Sequence, residues 1–194
     1  MKKIILKFGS AILAATLLAS GFSVSALNSN VSDKSFYEFR QEHVDEPAPG
    51  GEIMLNGADY SSATDQNISV GTVQKESNVL LTSDQGSVTW SFSVPAAGLY
   101  NIEICYCPLE GKNNPIERKI YINNEIQYSD LSAVSFPRIY QNESTEIKLD
   151  KQGNQLRPNQ VEAPRFETVM LYSSSYNVGE ALAVALKEGI NTIT

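Results

Sequence analysis

The stretch GNQLRPNQVEAPRF, residues 153–166, gathers two arginines, two glutamines, two asparagines and a glutamate within fourteen residues. Asn154, Arg157, Gln160, Glu162 and Arg165 carry planar, multidentate polar groups, the side-chain types that recognise paired sugar hydroxyls. Just upstream, FPRIYQNESTE adds Arg138 and Tyr140, whose ring offers a flat face to the apolar C–H side of a sugar. These seven residues form the candidate ligand-binding set. The competing reading is that Arg157, Glu162 and Arg165 pair with one another and pin a long connection, and spacing does not decide between the two.

Catalytic chemistry is poorly marked. A hydrolase needs two placed carboxylates or a nucleophile with its base. The chain has no G-x-S-x-G elbow, no H-E-x-x-H and no glycine-rich phosphate loop after a strand, and its one histidine, His43, sits in a polar segment. The expectation is therefore a protein that is not an enzyme. No cofactor is expected. Glu52 and Asp59, around the segment NGADYSSA, are candidate ligands for a structural calcium, which needs six to eight oxygens. Cys105 and Cys107 lie at i and i+2 on a predicted strand, where a disulfide would be strained. They read as small apolar side chains.

The elements that must position these residues are mostly strands. SVTWSFSV alternates with Val88, Trp90, Phe92 and Val94 on one face, and LYNIEICYC does the same with Tyr100, Ile102, Ile104 and Tyr106. EIMLN, SNVLLTS, PIERKIYI, TEIKL, FETVMLY and GINTIT are further strands, and Asn123-Asn124 marks a tight hairpin. ALAVAL within GEALAVALKEG is rich in helix formers yet alternates, and the spacing of its neighbours favours a strand. One short helix is predicted over SDKSFYEFRQEH, capped by Ser32 or Asp33, with Phe36 and Phe39 on one face. Many short strands separated by turns predict an all-β chain, a β-sandwich or jelly roll. The chain stops at Thr194 inside a predicted strand, so the expectation is a domain truncated at its C-terminal end.

The first residues give the compartment. Lys2, Lys3 and Lys7 precede the uncharged run Ala11–Ala19, and Val24 and Ala26 suit a signal-peptidase site. Residues 1–26 read as a Sec signal peptide, residues 27–51 as an N-terminal helix and linker, and residues 52–194 as the β-sandwich. The protein is expected to be secreted and cell-surface associated. Its net charge of −7, more negative still without the three lysines, disfavours nucleic acid as a partner.

Taken in order, SFYEFRQEH, EIMLNGADYSSA, VTWSFSVPAAGLYNIEICYCPLEGKNNPIERKIYINNE, FPRIYQ, GNQLRPNQVEAPRFETVMLY and EGINTIT resemble a known domain. It is the N-terminal domain of large secreted solute-binding proteins of Gram-positive ABC-type sugar importers. That domain is similar to carbohydrate-binding modules of the galactose-binding-like superfamily. The resemblance implies a jelly-roll β-sandwich with ALAVAL as a strand. It also implies an extracellular, non-catalytic role with oligosaccharides or polysaccharides, accessory to sugar uptake. A permease or a solute-binding domain in a longer parent chain would be the protein partner. The alternative within this resemblance is a structural or interaction domain that binds no sugar itself. Cys105 and Cys107 stand where the domain would carry aromatic or small residues.

Overall fold

The computed structural model describes residues 2–9, 33–111, 114–173 and 179–194. The signal-peptide features at Ala11–Ala19, Val24 and Ala26, and the candidate cap Ser32, lie outside the described residues. The strands, in chain order, begin with β1 (Lys2–Gly9), β2 (Glu52–Met54), β3 (Ser62–Ala63), β4 (Ser69–Val73) and β5 (Glu76–Leu81). Next come β6 (Val88–Val94), β7 (Gly98–Cys107), β8 (Ile116–Arg118), β9 (Val134–Phe136) and β10 (Tyr140–Asn142). The last six are β11 (Lys148–Leu149), β12 (Gln155–Leu156), β13 (Gln160–Glu162), β14 (Glu167–Met170), β15 (Ala183–Leu186) and β16 (Gly189–Ile193). One α-helix, α1 (Phe36–Glu42), precedes β2, and a 3-10 turn spans Ser129–Ser132. The chain is mostly β with one short helix, and most of its small sheets are antiparallel.

Why these residues make these elements is visible at several points. The helix begins one turn later than its sequence cues place it. Ser35, not Ser32 or Asp33, is the cap: its hydroxyl accepts from the Glu38 amide at 3.3 Å, and the Glu38 carboxylate accepts from the Ser35 amide at 2.8 Å. Only Ser35 has a glutamate three residues on, which is what this reciprocal box requires. The Asn123-Asn124 turn forms as predicted, both residues at positive φ (52° and 68°) between the bridged Ile122 and Glu125. ALAVAL is a strand at Ala183–Leu186, where pairing with β7 overrides helix propensity.

β7 is the organising strand. Antiparallel partners β14 and β15 share one of its edges, and β1 runs parallel along the other from Lys2↔Tyr100 to Gly9↔Cys107. Alternation in LYNIEICYC predicts one buried face, yet all ten residues are buried, including Asn101, Glu103 and Cys105. Asn101 is satisfied there by donating to the Leu182 carbonyl at 3.0 Å. β6 keeps its predicted alternation, burying Val88, Trp90, Phe92 and Val94. It is the middle strand of the β16–β6–β3 sheet. The main core joins the inward faces of β6 and β7 to Phe36 and Phe39 of α1, whose rings lie 5.0 and 4.8 Å from Tyr128. At the end of α1, His43 is half-buried against Phe39 (4.3 Å) and bonds Glu46. Both cysteines are free and buried, as small apolar side chains.

Candidate functional site

Residues 153–166 are not an irregular loop. They are largely the returning half of a long antiparallel ribbon. β10 pairs β13 with Tyr140↔Glu162, Gln141↔Val161 and Asn142↔Gln160, and β11 pairs β12 with Lys148↔Leu156 and Leu149↔Gln155. Main-chain bonds continue the ladder: Ala163 donates to Ile139 (2.8 Å) and Glu143 to Asn159 (2.9 Å). Pro158 and Pro164 are the residues of this stretch that argue against a strand. Each lies just outside a short paired segment, where no ladder hydrogen bond is required of it.

The ribbon uses several of the candidate residues for its own construction. At its base, the Arg138 Nε donates to the Asn114 carbonyl at 2.7 Å and Nη1 to the Leu109 carbonyl at 2.6 Å. The same guanidinium lies 3.7 Å from the Glu162 carboxylate, both side chains being 13% exposed. Glu162 also accepts from the Gly111 amide at 3.1 Å. A Cβ on Gly111 would stand 2.5 Å from Arg138 Nη2, so glycine is what lets the guanidinium lie flat on that backbone. Arg138 and Glu162 therefore form an internal clamp between the 109–114 segment and the ribbon.

Asn154 is spent at the tip. Its amide and side chain donate to Asp150 at 2.8 and 2.9 Å, and the Gln152 amide adds a third bond to the same carboxylate. Arg165 lies beyond the ribbon, exposed and paired with Glu167 at 2.8 Å. Arg157 is exposed on the returning half and has no side-chain partner among the described residues. The proposed mutual pairing of Arg157, Glu162 and Arg165 does not form: each takes a different partner or none. Nor do all seven candidates share one site, since Asn154 closes the ribbon tip on Asp150 whereas Gln160 pairs with Asn142 across β10 and β13.

Four residues do converge. Tyr140, Asn142, Gln160 and Glu162 point to one face of the ribbon, because cross-strand partners share a face and positions two apart repeat it. The Gln160 side-chain amide donates to the side-chain Oδ1 of Asn142, and the Tyr140 ring is 39% exposed beside them. Asn142 was missed in the sequence. Its signal was its place two residues after Tyr140, which matters only once that segment is known to be a strand.

The Asp150 carboxyl is held below its usual range by the Asn154 side chain first, then by the Asn154, Gln152 and Gly153 backbone. A depressed acid stabilises the tip above its unfolded pKa, and that contribution is lost as pH falls through the lower, folded value. The amide resonances of Gln152 and Asn154 are expected to report fraying only on the acid side of the ordinary Asp range. An Asp150→Asn variant is expected to remove this pH dependence, and unchanged fraying in that variant would show that Asp150 does not hold the tip.

Glu52 and Asp59 are both exposed, and among the described residues no three carboxylate, histidine or cysteine side chains converge on a point that would hold a metal.

A second concavity was not foreseen. A cavity of about 380 Å³ opens between the inward faces of β6 and β7, with walls that include Trp90, Ile104, Tyr106, Ile120 and Phe136. Trp90 Nε1 donates to the Gly57 carbonyl at 3.3 Å, and the Tyr106 hydroxyl to the Pro137 carbonyl at 2.8 Å. Burial pushes the Tyr106 hydroxyl up to about 12, helped by the nearby Glu167 charge, so it acts as a neutral donor. Arg118 also lines this space. In the sequence it was one charge among several in PIERKIYI, a segment whose strand ends at Arg118. No family model, curated protein or solved structure matches the chain, so its reading rests on this geometry and on the residues themselves.

Proposed function

We propose that the chain is a non-catalytic extracellular carbohydrate-binding domain, accessory to a solute-binding protein of ABC-type sugar uptake. The jelly-roll arrangement of the galactose-binding-like superfamily belongs to the same reading, as does export by the Sec signal peptide. The observation that carries it is the shared ribbon face, where an exposed aromatic ring stands beside two amide side chains, Asn142 and Gln160. An aromatic plane takes the C–H face of a sugar, and amides pair with adjacent hydroxyls. The Arg138–Glu162 clamp at the base of that face fixes its geometry before a ligand arrives, which lowers the entropy lost on binding.

The test is binding to a panel of plant and microbial oligosaccharides. Tyr140→Ala and Gln160→Ala are each expected to weaken a positive glycan by about tenfold, equivalent to about 1.4 kcal/mol. Arg165→Ala, whose charge is engaged by Glu167, is expected to change little. Glycan binding untouched by Tyr140→Ala and Gln160→Ala would remove the ribbon face as the site.

One observation favours the second reading, a structural or interaction domain. Toward the ribbon tip Ile147, Leu149 and Leu156 are 60%, 60% and 49% exposed. Leu149 and Leu156 stand on opposite faces of the tip, since Leu156 pairs with Lys148 and Leu149 with Gln155, so a protein neighbour in the parent assembly would cover them by gripping the tip from both sides. Retention of a solute-binding domain or permease by the ribbon, with no response to any glycan, would decide for this reading.

A further inference from the structure

We propose that the cavity between β6 and β7 is a second binding site, for a small monocarboxylate with a compact apolar body, anchored by Arg118. The volume of about 380 Å³ falls within the range of small-molecule sites, and most of the lining surface is apolar, with the charged side chains Asp84, Glu117, Arg118 and Lys119 grouped on the 84 and 117–119 segments. That composition suits a hydrocarbon or ring body and is a poor match for a hydroxyl-covered sugar. The site shares no residue with the ribbon face.

The charge of Arg118 specifies the head group. The guanidinium is partly buried and is positioned by neutral oxygens only. Nη1 donates to the Glu117 carbonyl at 2.8 Å, and Nη2 to the Ser83 carbonyl at 3.1 Å and the Thr82 hydroxyl at 3.4 Å. No ion pair reaches it among the described residues. Asp84 and Glu117 also line this part of the cavity, but both side chains are exposed to water. Burial lowers the Arg118 pKa, and the Asp84 charge only partly opposes this. A cation held by carbonyls in a desolvated wall gains most from a carboxylate, which can accept two parallel N–H bonds from it.

Trp90 is the only tryptophan of the chain and lines the cavity, so its fluorescence reports occupancy. Octanoate and octanamide share one apolar body and differ in charge. Octanoate is expected to change Trp90 emission saturably, with octanamide about ten- to a hundredfold weaker, the worth of a charge-assisted hydrogen bond. Arg118→Gln is expected to abolish that discrimination. Equal binding of acid and amide, or no response to octanoate at all, would overturn the proposal. Because Arg118 also holds Ser83 in place, the acid-to-amide comparison on the unsubstituted protein decides the matter even if the variant fails to fold.

Discussion

Arg138→Ala is expected to destabilise the protein by about 2–3 kcal/mol with no ligand present, the cost of taking the shared donor from two carbonyls and from a part-buried carboxylate. The loss has three parts. The Asn114 and Leu109 carbonyls lose their donor, the Glu162 charge is left facing a hydrophobic-sized gap, and the flat contact with Gly111 becomes a void. Both charged side chains are only 13% exposed, so solvent cannot readily replace the lost partner. Thermal unfolding of Arg138→Ala, Glu162→Ala and the double variant checks this. The double variant should be more stable than the sum of the two single losses predicts, because removing both charges leaves neither uncompensated. Arg157→Ala is the control: it is exposed and without a side-chain partner among the described residues, so its stability should be unchanged. If Arg138→Ala unfolds at the wild-type temperature, the clamp is not structural, and Arg138 returns to the pool of ligand-facing residues.

This contrast shows what the sequence could and could not convey about the site. Residue chemistry picked out Tyr140 and Gln160, which share an exposed face, and equally Arg138, Glu162 and Asn154, which the fold consumes internally. An arginine that grips carbonyls and one that faces water have the same sequence signature. What separates them is whether a backbone segment such as 109–114 passes within reach, and that is a tertiary fact. The prolines at 158 and 164 argue against a strand, but a ribbon of two- and three-residue ladders leaves room for proline between its pairings.

The fold was more legible where burial sets a period. β6 follows its alternation residue by residue, and the Asn-Asn hairpin follows from positive φ. β7 was half legible. Its apolar face was predicted, but its second face carries Asn101 and Glu103, and polar residues at alternate positions read as solvent-facing until their partners are known. Trp90 and Tyr106 were each placed on one face of an alternating strand, yet the cavity between β6 and β7 is completed by Ile120, Phe136 and Arg118 from segments further along the chain. No local pattern encodes such a meeting.

The same kind of distant lock holds β16, whose Ile193 lines that cavity, to the 122–125 hairpin, and it makes Asn191→Asp a pH-dependent lesion. Asn191 is 1% exposed and makes four hydrogen bonds. Its Oδ1 accepts from Asn123 Nδ2 at 2.9 Å and the Lys187 amide at 3.2 Å, and its Nδ2 donates to the Lys187 and Gly189 carbonyls at 2.7 and 3.1 Å. Asn123 returns the contact by accepting from the Thr192 amide, so the 122–125 hairpin and β16 are tied side chain to backbone in both directions. Aspartate has the same shape, but an ionised oxygen would face two carbonyls. Only the protonated acid can donate there, so the folded pKa of the new group must rise above its unfolded value near 4. Below that value the variant keeps most of the network and should unfold close to wild type. As pH rises above it, stability should fall by up to about 1.4 kcal/mol per unit until the folded pKa is passed. Asn191→Ala, which removes both roles at once, should instead show a pH-independent loss on the order of 3 kcal/mol, since several buried groups lose their partners together. Unfolding midpoints of the three proteins measured from pH 3.5 to 8 test the argument. An Asn191→Asp profile parallel to wild type would mean that water reaches residue 191 beside β16, and that these four bonds do not close the hairpin against that strand.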